Sequence, residues 1–194
     1  MKRVLITLGV TFAVVAGIGL AVMYTGTFDV DATKPEGTLS RWLTRTTMEH
    51  AVRSHAKGIV APSLEDSAMV QSGAEDFKEM CVQCHGSPTE GRSHVGLGLN
   101  PQAPDLSESA KKWSPAELYW ITKHGIKMTG MPAFGPTHDE KALWGMVAFL
   151  KRLPGMSAEQ YRRYGESGET IDEPRGTKEP PGDEHHHHQS TSGL

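Results

Sequence analysis

Cys81-Val82-Gln83-Cys84-His85-Gly86 is the stretch on which the reading of this chain turns. Two thiols three residues apart at the end of a helix can each form a thioether to one vinyl group of a haem, and the adjacent histidine then reaches the iron from one side. The same spacing serves thiol-redox enzymes and half-zinc sites. A thioredoxin-like site needs a βαβ context, and no alternating strand pattern is present. A zinc site needs further ligands, and His94, His124 and His138 lie at spacings that match no usual finger. A buried thiol pair or a disulfide is the plainest alternative. The histidine directly after the second cysteine favours covalent haem attachment.

Upstream of the motif, Met69, Val70, Gly73, Phe77 and Met80 predict a helix that runs straight into Cys81, with Ser63 as its cap and Glu65 and Asp66 in its first turn. Downstream, Ser114-Pro115-Ala116-Glu117 combines an N-cap, a first-turn proline and a capping-box glutamate, and Gly125 ends that helix. Thr137-His138-Asp139-Glu140 predicts a third start by the same box. Leu143, Met146, Val147 and Leu150 then form a buried stripe, and Pro154-Gly155 stop the helix. Between the first two helices, Gly86 to Trp113 reads as one long loop. A loop of that length becomes reasonable if it wraps a large cofactor.

The chain has 194 residues, with 37% hydrophobic and 7% aromatic content, which is lean for a large core. A net charge of −3 excludes a basic nucleic-acid binder, and two cysteines exclude a disulfide scaffold or a four-cysteine cluster. No charge falls between Arg3 and Asp29, and Val4 to Tyr24 would rise about 31 Å as a helix, the thickness of a hydrocarbon core. Gly19-Leu20-Ala21 is the nearest thing to a cleavage site but lies inside the apolar run. An uncleaved anchor is therefore preferred to a signal peptide. Lys2 and Arg3 should stay cytoplasmic, placing the rest of the chain outside the inner membrane, in the periplasm.

The expected organisation is an anchor over 1–25, a linker and amphipathic helix over 26–63, a haem domain over 64–156 and a disordered polar tail over 157–194. Leu39, Trp42, Leu43, Ala51, Val52 and Ala56 make one face of the amphipathic helix. Packing on the main domain is preferred to an interfacial placement. The tail holds the run His185–His188, to which no function is assigned.

Residues 66–156 resemble a monohaem class I cytochrome c domain, of the kind found in membrane-anchored periplasmic cytochromes and bacterial oxidase subunits. The resemblance rests on Gly73-Ala74, Phe77, Cys81 to Gly86, Pro104-Asp105-Leu106, Gly125-Ile126 and Thr129-Gly130-Met131-Pro132-Ala133-Phe134. It implies an all-α fold, three or more helices around one haem c, and packing of Gly73 and Phe77 against Trp144 or Phe149. Opposite His85, the candidates for the second iron ligand are Met128, Met131, Met146 and the other histidines. Glycine before Met131 and proline after it favour Met131, and the resemblance points the same way. Pro104 is implied as acceptor for the second ring nitrogen of His85. Trp113, Trp120 and Ile126 are expected to wall the haem, and Arg92 is a candidate for a propionate. Lys111, Lys112, Lys123 and Lys127 read either as a steering patch or as a solvated rim.

The resulting expectation is electron transfer to and from redox partner proteins. The chain would bind no nucleic acid and no small-molecule substrate apart from haem, and would not be an enzyme by itself. The rivals are a haem-carrying subunit of a larger oxidoreductase, a peroxide-handling haem enzyme, and a metal-binding or thiol-redox protein.

Overall fold

The computed structural model describes residues 1–27 and 29–166. The run His185–His188 and most of the expected tail lie outside the described residues. The chain divides into two compact units, Met1–Lys34 and the remainder from Pro35 onward. The first unit is built on α1 (Lys2–Tyr24), the helix long and apolar enough to cross a membrane.

The second unit is all-α, with no β-strand among the described residues. Its elements are α2 (Thr38–His55), α3 (Ser67–Asp76), a π-helical turn (Phe77–Cys81), α4 (Val82–His85), α5 (His94–Leu97), α6 (Leu106–Lys112), α7 (Pro115–His124), α8 (Glu140–Leu150) and α9 (Ala158–Glu166). At the centre α3 crosses α8. Gly73 and Gly145 meet there backbone to backbone, and a Cβ added at Gly73 would overlap the Gly145 carbonyl. Around the crossing, Phe77 and Phe149 lie with ring centroids 5.1 Å apart, and Tyr119 stacks on Trp144 at 4.2 Å. Leu143, Met146, Val147 and Leu153 complete the core. Each such large side chain contributes about 1.5–3 kcal/mol by leaving water.

The capping box expected at Ser114 is present: Ser114 N–H donates to Glu117 Oε2 at 2.8 Å and Glu117 N–H to Ser114 Oγ at 3.3 Å. Two other helix starts differ from expectation. The cap of α3 is Asp66 rather than Ser63. Its backbone is extended and its carboxylate accepts from Ala68 N–H at 2.9 Å. At α8 the cap is Asp139, accepting from Ala142 N–H at 2.8 Å. Thr137 is instead drawn into the preceding loop, donating to the Phe134 carbonyl at 3.2 Å. The helix expected to run unbroken into Cys81 widens into the π turn after Asp76.

Two further regions are more ordered than the sequence reading. The long loop after Gly86 contains α5 and α6, capped by Ser93 and Asp105. Residues 158–166, expected to start a disordered tail, form α9. Tyr161 of α9 is buried, with its ring 6.1 Å from Phe77 and 6.3 Å from Phe149. The helix at α2 packs on the domain through its second half. Val52 and Ala56 are buried, His55 stacks on Trp120 at 5.4 Å, and Glu49 forms an ion pair with Lys112 of α6.

Candidate haem-binding site

The site is assembled at the end of α3. The π turn delivers Cys81, and α4 carries Cys84 and His85 before Gly86 stops it with φ +74°, a conformation that side chains other than glycine rarely adopt. One extra residue per turn is a common device next to functional sites, because it re-aims the side chains that follow. Both cysteines are free thiols. Burial, with Asp76 and Cys84 adding to it, pushes the Cys81 thiol up to about 12.

His85 and Pro104, paired only by resemblance in the sequence, are brought together. His85 Nδ1 lies 2.8 Å from the Pro104 carbonyl oxygen. A carbonyl can only accept, so the ring proton sits on Nδ1 and the Nε2 lone pair is left for a metal. Burial lowers the pKa of His85, and the bond to Pro104 opposes it. A neutral imidazole is the form that ligates iron.

Sequence reasoning missed the backing of this turn. A Cβ added at Gly96 of α5 would strike the Cys84 carbonyl, so α5 lies directly against the thiol-bearing turn. Ser93, the cap of α5, donates its hydroxyl to the Gln83 carbonyl. The cluster Gly96, Gly98 was the available signal, since glycine marks places where backbones approach closely.

Met131 is half-buried in a loop folded back onto the end of α7. Ile126 N–H donates to the Met131 carbonyl at 3.2 Å, and Met131 N–H donates to Thr129 Oγ1 at 3.1 Å. Gly125, at φ +63°, leaves no room for a side chain: its Cβ would lie 2.6 Å from the Pro132 carbonyl carbon. Met128 sits in the left-handed region at φ +61° and is 93% exposed. Met146 is fully buried in the core. Ile126 is half-buried at the root of the loop, and Trp113 is buried. Trp120 is half-buried between two imidazoles, His55 at 5.4 Å and His124 at 5.0 Å.

Arg92 and three of the four lysines have partners within the chain. Arg92 donates to Gln102 Oε1 at 3.0 Å within its own loop. Lys111 pairs with Glu108 at 2.6 Å, Lys112 with Glu49, and Lys123 bonds Tyr119 at 3.2 Å beside Glu140. Most of the lysine rim is thus answered by carboxylates. Among the described residues no group of three His, Cys, Asp or Glu side chains is placed to hold a metal ion. Two free thiols one helical turn apart, followed by an imidazole whose Nδ1–H is spent on a carbonyl, are the donor set that a covalent haem requires.

Comparison with known proteins agrees. Residues 68–150 match the family model described as cytochrome C oxidase, cbb3-type, subunit III. The helical domain is a monohaem class I c-type cytochrome domain, and the group it carries is covalently bound haem c with its iron. More particularly, the chain is similar to the cbb3-type cytochrome c oxidase subunit FixP of Rhizobium meliloti (strain 1021), at 30% identity over 55% of this chain and 37% of that protein. It is similar to FixP of Sinorhizobium medicae (strain WSM419), at 30% identity over 53% of this chain and 36% of that protein. The matched stretch thus spans little more than a third of either relative. A solved c-type cytochrome, XoxG from Methylobacterium extorquens AM1, aligns over 72% of this chain and 95% of its own at 18% identity, with a TM-score of 0.34.

Proposed function

We propose that this protein is a single-pass electron carrier of the inner membrane, with α1 as anchor and the haem domain in the periplasm. Cys81 and Cys84 would hold the haem through thioethers, and His85 and Met131 would ligate its iron. When bound, haem c supplies a one-electron couple and the organic chemistry of the site. The chain supplies the rest. Pro104 fixes the His85 ring and its tautomer, so the imidazole keeps one orientation as charge comes and goes. The Ile126–Met131 bond and the Gly125–Pro132 contact hold the methionine loop in place. A thioether ligand favours the reduced state and raises the potential. With His85 and Met131 both engaged as ligands, the domain would pass electrons between proteins and would make or break no substrate bond.

The single observation that carries this reading is the 2.8 Å contact between His85 Nδ1 and the Pro104 carbonyl, beside two unpaired thiols. The test is the absorption spectrum of oxidised Met131→Ala and Met128→Ala holoproteins. Loss of the methionine–iron charge-transfer band in Met131→Ala alone supports the assignment. Loss in Met128→Ala alone overturns it.

A second reading is favoured by the two relatives named as oxidase subunits. Here the same electron transfer serves a larger membrane oxidoreductase, with this chain as its haem-carrying subunit. Co-purification of a haem-containing membrane complex with the tagged native protein distinguishes the two.

A further inference from the structure

α2 is two helices in one, by exposure. Its second half is welded to the haem domain: Val52 is 1% exposed and Glu49 is held by Lys112. Its first half presents Leu39, Trp42 and Leu43 at 75%, 62% and 56% exposure. These positions follow the i, i+3, i+4 rule, so they form one stripe along the helix. From Thr38 to Met48 the helix carries Arg41 and Arg45 and no acidic residue. Arg45 follows Trp42 by three residues and is its neighbour on the helix surface. Arg45 also pairs with Glu49 at 3.0 Å, and Arg41 donates to the Glu36 carbonyl at 2.9 Å.

We propose that the first half of α2 lies in the headgroup region of an anionic phospholipid bilayer, with Leu39, Trp42 and Leu43 inserted and the two arginines at the phosphates. The inference rests on the anchor reading of α1. Residues 25–37 join Tyr24 to Thr38 and reach at most about 45 Å even when fully extended, so α2 is tethered close to the surface. A stripe containing one tryptophan, flanked by arginines, is the side-chain set that partitions to such an interface. Two attachments, one on each side of the linker, would hold the haem domain against the membrane surface instead of leaving it on a free tether.

The test uses full-length holoprotein in vesicles of phosphatidylcholine and phosphatidylglycerol. Cys81 and Cys84 are consumed as thioethers, so one added cysteine takes a nitroxide label, at Val14→Cys, Leu43→Cys or Lys141→Cys in turn. Electron-spin saturation by dissolved oxygen and by an aqueous nickel chelate reads the depth of each label. The expected result is a label at 14 deep in the hydrocarbon, one at 43 about 5–10 Å inside the headgroup boundary, and one at 141 in water. Nickel access at 43 equal to that at 141, with 14 deep, overturns the proposal and leaves the anchor standing. Shielding of 43 from both oxygen and nickel means that a protein covers the stripe, and likewise overturns it. Nickel access at 14 removes the anchor reading, and the proposal falls with it.

Discussion

Gly73 of α3 and Gly145 of α8 touch through their main chains, and the two are not equivalent. A Cβ at Gly73 would overlap the Gly145 carbonyl, whereas one at Gly145 would lie 3.2 Å from the Met69 carbonyl oxygen, a contact that a small shift relieves. Gly73→Ala therefore forces the central helices apart, at the upper end of the about 1–3 kcal/mol typical of overpacking. Gly145→Ala costs distinctly less. Denaturant unfolding of the two holoproteins checks the order, and equal losses would contradict it.

Gly125 couples the fold to the methionine loop. Its positive φ and its approach to Pro132 mean that Gly125→Ala strains the backbone and pushes the loop off α7. The expected outcome is a weakened or lost charge-transfer band and a lowered potential, with helix content in circular dichroism unchanged. An intact band would show that the loop is held by other means.

Glu49 gives a pH signature. Its hydrogen bond to Lys112, and then that to Arg45, holds its carboxyl below the usual carboxylate value. A depressed folded-state pKa contributes stability that is present above the unfolded value of about 4.3 and lost as pH falls through the folded value. Wild type should exceed Glu49→Gln by about 1 kcal/mol or less at pH 7, and the gap should close in acid and in high salt. A gap that widens as the pH falls would refute the assignment.

Tyr161 ties α9 to the core. Tyr161→Ala leaves a hole against Phe77 and Phe149 and should cost about 3 kcal/mol, the scale of removing a large buried aromatic. A loss below a few tenths of a kcal/mol would mean that the domain ends before α9.

What could be read from the sequence was whatever local chemistry decides alone. The Ser114–Glu117 box needs only four adjacent residues, and it is present as read. Asp66 and Ser63 are both competent caps, and the choice between them depends on where α3 must lie to cross α8. Composition averaged over 157–194 hid Tyr161 and Tyr164, two aromatics that anchor a short helix onto a core invisible to the tail itself. The lysines stood open between a patch and a rim: Lys111 has its partner Glu108 only three residues away, but Glu49, the partner of Lys112, is 63 residues off and could not be paired with it locally. For the same reason His55 gave no sign of stacking on Trp120. At the site, the thiol spacing named the chemistry, and Gly130 and Pro132 made Met131 the preferred candidate among the methionines. The support of that turn by Ser93 and Gly96 is a long-range packing relation, and only the glycines hinted at it.

The central claim is that one haem is joined through two sulfurs to the turn at 81–85. Its most direct test is the mass of the proteolytic peptide spanning Cys81 to His85, taken from protein matured in its native export pathway and treated with a thiol alkylator. The account predicts a peptide heavier by one haem, with no alkyl group on either cysteine. A peptide alkylated at both Cys81 and Cys84, from a colourless protein, would contradict it.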